Sequence, residues 1–195
     1  FTHAPHRSAP APKQSRSFSI TKMVFPFNVV LAAVRGELDT LKSYFEPAGA
    51  SKRDPNESDD DGWSCLMRAA GNPRESSIEC VKYLLSMGAD VSHRRTRYLS
   101  ESEGSICLGA LEVACSTNKS GHVIRLLIDA GAANGGAINS RSETGIHGRT
   151  PLGSFLYALA DEELKSDCVD TLALLLRNGA SLDSVMGEFS AEDLL

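Results

Sequence analysis

A phrase that returns three times along the chain constrains its fold more than any other feature. It reads Tyr83-Leu84-Leu85-Ser86-Met87-Gly88-Ala89, then Leu126-Leu127-Ile128-Asp129-Ala130-Gly131-Ala132, then Leu174-Leu175-Leu176-Arg177-Asn178-Gly179-Ala180. In each copy apolar residues fall at i, i+3 and i+4: Val81, Leu84 and Leu85; Ile124, Leu127 and Ile128; Leu172, Leu175 and Leu176. That spacing draws one apolar stripe down a helix. The glycine that follows supplies the left-handed conformation that ends it. A weaker copy, Leu41, Tyr44 and Phe45, runs out at Ala48-Gly49-Ala50.

A shorter apolar segment rich in small residues precedes each stripe. These segments are Val29-Val30-Leu31-Ala32-Ala33, Cys65-Leu66-Met67-Arg68-Ala69-Ala70, Ala110-Leu111-Glu112-Val113-Ala114-Cys115 and Pro151-Leu152-Gly153-Ser154-Phe155-Leu156. Small side chains let a neighbouring helix come close, so each segment is expected to be the inner helix of a pair. Thr150 before Pro151 fits an N-cap followed by proline at the first helical position. One such pair cannot bury its apolar faces alone, whereas stacked copies can.

These residues resemble the ankyrin repeat. Gly148-Arg149-Thr150-Pro151-Leu152 is similar to the opening G-x-T-P-L-H, with Gly153 in place of the His. Asp61-Gly62-Trp63-Ser64-Cys65-Leu66 resembles the same opening with Ser for Thr and Cys for Pro, and Ala32-Ala33-Val34-Arg35-Gly36 resembles the turn between the two helices. The resemblance covers nearly everything after Met23. It implies an all-α fold, an ankyrin-repeat solenoid of stacked helix-turn-helix units joined by hairpin-like loops. The repeats fall near residues 23–56, 57–100, 101–144 and 145–184, with a partial fifth over 185–195. The family period is about 33 residues, but Gly88 and Gly131 stand 43 residues apart and Gly131 and Gly179 stand 48 apart. The extra length is placed between repeats, at Ser92–Glu103 and Gly135–His147, and between paired helices, at Gly71–Ser77 and Ala160–Asp167. Insertions there leave a stack intact.

Composition narrows the function. A net charge of −5 argues against nucleic acid as a partner, since neutralising phosphates calls for a basic surface. The longest apolar runs are too short to span a membrane. Residues 1–22 hold Arg7, Lys13, Arg16 and Lys22, no acid, and no helical or strand period. They read as a basic, Ser/Pro-rich disordered tail, as an organellar transit segment, or as a stretch preceding a translation start at Met23. Residues 23–195 then carry 16 basic and 25 acidic side chains. Five cysteines form no CxxC pair, so reduced thiols in an intracellular protein, cytoplasmic or nuclear by default, are expected. The Asn-x-Ser sequons at Asn56 and Asn118 carry little weight in that setting.

Catalytic and metal-binding patterns fail on their own terms. Glu57, Asp59, Asp61 and Gly62 take the first, third, fifth and sixth places of a calcium loop, but Arg68 stands at the twelfth, where a bidentate Glu is needed. The glycine-rich Gly131–Ala137 follows a helix where a phosphate loop would precede one. No histidine pairs with a cysteine or another histidine at zinc spacing. No catalytic residue, cofactor or metal ligand is expected, and the chain is read as not an enzyme.

The ankyrin resemblance implies a binding scaffold, in which the residue after the hairpin glycine faces a partner. That position is Trp63 in the second repeat and Arg149 in the fourth, with Leu108 aligned to it in the third. Trp and Arg are the side chains that most often anchor interfaces. Asp61 at the hairpin and Arg68, one turn into the inner helix, share that face. Arg95 lies in His93-Arg94-Arg95-Thr96-Arg97, either a solvated loop or a dock for carboxylate or phosphate. Arg97-Tyr98-Leu99-Ser100 also resembles a basophilic kinase site. The expected function is a monomeric, non-catalytic scaffold binding a protein partner on its concave surface. The alternatives are a targeting or regulatory region of a larger enzyme, such as a ubiquitin-ligase adaptor or kinase, and a masking inhibitor.

Overall fold

Each recurring phrase ends a helix, and the glycine after it has positive φ: +87° at Gly88, +101° at Gly131 and +92° at Gly179. The computed structural model describes residues 26–100, 104–141, 150–159 and 166–182. The tail over 1–22, Arg149 and the partial fifth repeat lie outside these residues.

The described residues are mostly helical, and the helices follow one another as four pairs. These are α1 (Phe27–Arg35) with α2 (Leu38–Phe45), α3 (Cys65–Ala70) with α4 (Ser76–Ser86), α5 (Ala110–Val113) with α6 (Gly121–Leu127), and α7 (Pro151–Leu159) with α8 (Ser166–Arg177). Helix α5 continues into a π-helical turn at Ala114–Asn118, and α6 into another at Ile128–Ala132. The first helices pack in series, α1 on α3, α3 on α5, and α7 on α5 and its π-helical turn. The second helices do likewise, α2 on α4, α4 on α6 and α6 on α8.

Local sequence accounts for where the first helices begin. The Ser64 hydroxyl accepts the Met67 N–H at 3.3 Å, and Thr150 Oγ1 accepts the Gly153 N–H at 3.1 Å, each satisfying a donor that the first turn leaves open. The third pair has Gly109 at this position and reverses the device. The Gly109 N–H donates to Glu112 Oε2 at 3.0 Å.

Packing follows the two kinds of helix. Ala32, Ala33, Ala69, Ala70 and Ala114 are buried on the first helices, and Leu41, Phe45, Leu84, Leu127 and Leu175 are fully buried on the second. Small residues on one side and large ones on the other set the helices close and fill the space between them. Gly36, with φ +75°, closes the turn between α1 and α2, and a Cβ there would collide with Ser76 Oγ at the start of α4. The predicted stripe departs from the structure at Leu176, which is 37% exposed although Ile128, its counterpart, is buried.

The predicted loop over Ser92–Glu103 contains regular structure. Strands β1 (Arg94–Ser100) and β2 (Gly104–Gly109) form an antiparallel ribbon, with Arg94 opposite Gly109 and Arg95 opposite Leu108. An all-α description therefore needs this ribbon added, along with a 3-10 helix at Asn134–Asn139. Side chains at the ribbon's base tie it down. Arg94 pairs with the buried carboxylate of Glu112, donates to Ser140 Oγ at 2.8 Å and to the Cys107 carbonyl at 3.2 Å. The Ser140 hydroxyl donates in turn to Glu112 Oε1 at 3.0 Å.

Two asparagines make the same double contact with a later helix end. Asn56 Nδ2 donates to the Gly88 carbonyl at 3.3 Å while its Oδ1 accepts the Asp90 N–H at 2.6 Å. Asn139 Nδ2 donates to the Gly179 carbonyl at 2.7 Å while its Oδ1 accepts the Ser181 N–H at 2.8 Å. The other sequon residue, Asn118, is buried and donates to the Ala70 carbonyl at 3.0 Å and to the Asn72 carbonyl. Both sequon amides are thus engaged within the fold.

Cys65, Cys80 and Cys115 are buried free thiols; Cys107 and Cys168 are half-buried. Burial pushes the Cys65 thiol up to about 12, with Asp59 adding to the shift, and pushes Cys80 up to about 11. Burial raises Cys115 as well. A maleimide at pH 8 is expected to label only Cys107 and Cys168 in the native protein, and all five after unfolding, as counted by intact mass. The raised thiols also set a sign for alkaline stability. Their contribution is complete below the unfolded thiol pKa, about 8.5, and is lost as pH rises through the folded values.

Candidate functional site

Asp59 organises the turn on which the site rests. Its Oδ1 accepts the N–H groups of Asp61 at 3.1 Å and Trp63 at 2.8 Å, an Asx-type arrangement. Its Oδ2 accepts Arg68 Nη2 at 2.8 Å. The main chain closes the same loop, with the Gly62 N–H donating to the Asp59 carbonyl and the Asp59 N–H to that of Trp63. The Gly62 carbonyl accepts from His93 Nε2 at 3.0 Å, which joins the turn to the residue before β1.

The turn presents Trp63 to two cations. The guanidinium carbons of Arg68 and Arg95 each lie 4.4 Å from the Trp63 ring centroid. Each such contact contributes on the order of 0.5–2 kcal/mol, more as water is excluded. The Asp59 carboxylate also pairs with Arg68, which offsets one of the two charges held against the ring. Arg95 is 8% exposed, which places it in packed structure rather than in a solvated loop.

Of the residues singled out in the sequence, Trp63, Arg68 and Arg95 therefore come together. Asp61 is two residues from Trp63, exposed at the tip of the turn, and takes part through its backbone N–H. Leu108 lies half-buried on β2 opposite Arg95. Arg149 falls outside the described residues.

Beside the ring, a groove of about 440 Å3 opens between α1, α3 and α5. Its apolar lining includes Val34, Met67 and Val113 as well as Trp63, and its polar lining includes Arg68, Asn72 and Arg74. Val34 is exposed, Met67 and Val113 are buried, and Arg74 is exposed at the edge. Asn72 and Arg74 sit in the turn between α3 and α4, where sequence pattern offers no signal. Asp59 had a signal, the Asp-x-Asp-Gly of a tight turn, and its service to Arg68 is the part that spacing does not reveal. Among the described residues, no cluster of three His, Cys, Asp or Glu side chains is placed to hold a metal ion. No described helix is long and apolar enough to cross a membrane.

Trp63 also packs against the core. Trp63→Ala is therefore expected to cost about 2 kcal/mol, more than an ordinary surface position. Urea denaturation of the variant measures it.

A turn stapled by an aspartate, an N-capping Ser64, a short inner helix and a longer outer helix ending in a left-handed glycine define a repeat unit. The ankyrin repeat family model matches residues 61–96, from that turn through α3 and α4 into β1. Residues 61–96 therefore form an ankyrin repeat, and one repeat is detected. Among curated proteins, none matches the chain.

Proposed function

We propose that the chain is a non-catalytic interaction module, a solenoid of four ankyrin repeats near residues 23–56, 57–100, 101–144 and 145–184. Its inner-helix face binds a protein partner. Ankyrin repeats typically serve as interaction modules, and the serial packing of first helices on first helices supports extending the single detected repeat to its neighbours. One observation carries the assignment of the face. The groove beside Trp63 crosses three successive first helices, α1, α3 and α5, so that only their stacking creates it. Its mixed lining of aliphatic, aromatic and arginine side chains has the composition of interface centres.

The test is capture of partners from extract on the chain of residues 1–195, compared with a Val34→Asp variant. Val34 is 39% exposed and lines the groove, so a charge there changes the surface with little cost to the fold. A partner retained by the native chain and lost by the variant supports the groove. Retention of the same set by both moves the binding face elsewhere, with the β1–β2 ribbon the next place to examine.

A further inference from the structure

The chemistry of the groove's occupant can be read from which polar atoms in its lining already have partners. Asn72 is 3% exposed, and its Oδ1 is occupied by the Arg74 N–H at 3.0 Å. Its Nδ2 is buried without an acceptor. Arg68 spends Nη2 on Asp59, and its Nε is likewise buried without an acceptor. Arg74 holds an exposed guanidinium at the same end of the groove and makes no ion pair among the described residues. Buried polar groups in folded proteins are nearly always hydrogen-bonded, and an unmet donor costs free energy until an acceptor reaches it. Both buried side-chain atoms of the lining that lack a partner are donors. Thr117, the other polar side chain across the groove, already spends its one hydroxyl proton on main chain, with the Val113 carbonyl at 2.7 Å and the Gly71 carbonyl at 3.1 Å.

The two ends of the groove also differ in charge. At the turn end stands Arg74, beside Asn72. At the hairpin end stand Asp59, Asp60 and Asp61, the last two exposed. Between the ends lies the apolar floor of Val34, Met67 and Val113. A segment carrying a carboxylate meets an exposed guanidinium outside any ion pair at the Arg74 end, whereas at the hairpin end the cations Arg68 and Arg95 on Trp63 already stand among Asp59, Asp60 and Asp61.

We infer that the groove takes a partner segment in which an Asp or Glu side chain adjoins an aliphatic one, the carboxylate at Arg74 and Asn72 and the aliphatic group on Met67 and Val113. The inference rests on the groove being the binding face. The carboxylate brings an acceptor beside Asn72, whose Nδ2 the fold leaves unmet, and the exposed Arg74 guanidinium suits it in two-point contact. The aliphatic side chain covers the floor and excludes water from that contact.

The experiment uses short randomised peptides displayed against the chain of residues 1–195, followed by titration of the selected peptides in solution. Trp63 is the only tryptophan, so its emission reports occupancy of the groove directly. The expected peptides place Asp or Glu next to Leu, Ile, Val or Met and shift Trp63 emission. Their affinity falls about tenfold or more in Arg74→Glu, falls with added salt, and is unchanged in Arg177→Glu on the exposed end of α8. Peptides that shift Trp63 but carry no acid, or that bind Arg74→Glu equally well, overturn the partner chemistry and leave the groove as binding face. Peptides that bind without moving Trp63 emission, and that ignore Val34→Asp, overturn the groove itself. A selection that yields no binder overturns both.

Discussion

Glu112→Ala is expected to destabilise the protein by about 3–5 kcal/mol, the range for stripping one partner from a buried ion pair. Its side chain is 4% exposed and Arg94 is 25% exposed, so the pair sits where water offers little compensation. The carboxylate serves three groups. One oxygen pairs with Arg94 and accepts the Ser140 hydroxyl, and the other accepts the Gly109 N–H at the start of α5. Alanine leaves a guanidinium without its counterion, a helix start without its cap and a ribbon without its tether. Burial opposes the Arg94 charge, but Glu112 and the Cys107 contacts more than offset it, and the guanidinium is held above its ordinary range. Equilibrium urea unfolding gives the cost as a shift in midpoint at constant slope. The double replacement Arg94→Met with Glu112→Leu should recover most of the loss, because it removes both charges together. A double variant as unstable as Glu112→Ala would mean that the cap at Gly109, not the ion pair, carries the effect.

The second large effect belongs to Leu127→Ala, expected at about 2–5 kcal/mol. Leu127 is fully buried at the end of α6, which packs on α4 on one side and α8 on the other. Shortening it opens a void that neither neighbour can fill without moving. The cost therefore includes a cavity contribution beyond the lost burial of the side chain. In a serial stack this damage also weakens coupling between the halves. Unfolding followed by Trp63 emission, on the α3 side, and by far-ultraviolet ellipticity, over all helices, should coincide in the native chain and separate in the variant. An unchanged midpoint would count against Leu127 as an inter-helix contact.

How much of this was legible depended on whether the determining contact was local. Helix ends were, because a glycine following an i, i+3, i+4 stripe settles its own conformation, and Gly88, Gly131 and Gly179 all have it. The Ser64 and Thr150 caps were legible for the same reason. The β1–β2 ribbon was not. Arg94-Arg95-Thr96-Arg97 has no apolar alternation, and its strand geometry goes with contacts made at a distance, Arg94 to Glu112 and Arg95 to Trp63. Leu176 was legible as apolar but not as exposed, since exposure depends on packing that a helical period does not report. In the site, Trp63 and Arg68 could be placed from the turn and the helical phase, and their joining with Arg95 could not. Asn72 and Arg74 left no trace, because the inserted turn between α3 and α4 follows no period.

The two asparagine contacts bear on how such a chain can vary. Asn56 reaches a partner 32 residues downstream and Asn139 one 40 residues downstream, yet both meet one carbonyl and one N–H two residues apart. Each amide recognises main chain alone, so the side chains of the turn it clasps are not part of the recognition. Nor is the length of chain looped out between the two ends, provided both return to the same place. The clasp works as a fixed rivet between plates of unequal size. Segments between rivets are then free to lengthen and change sequence, and a family ruler of constant spacing loses its grip on a fold that keeps its fastenings.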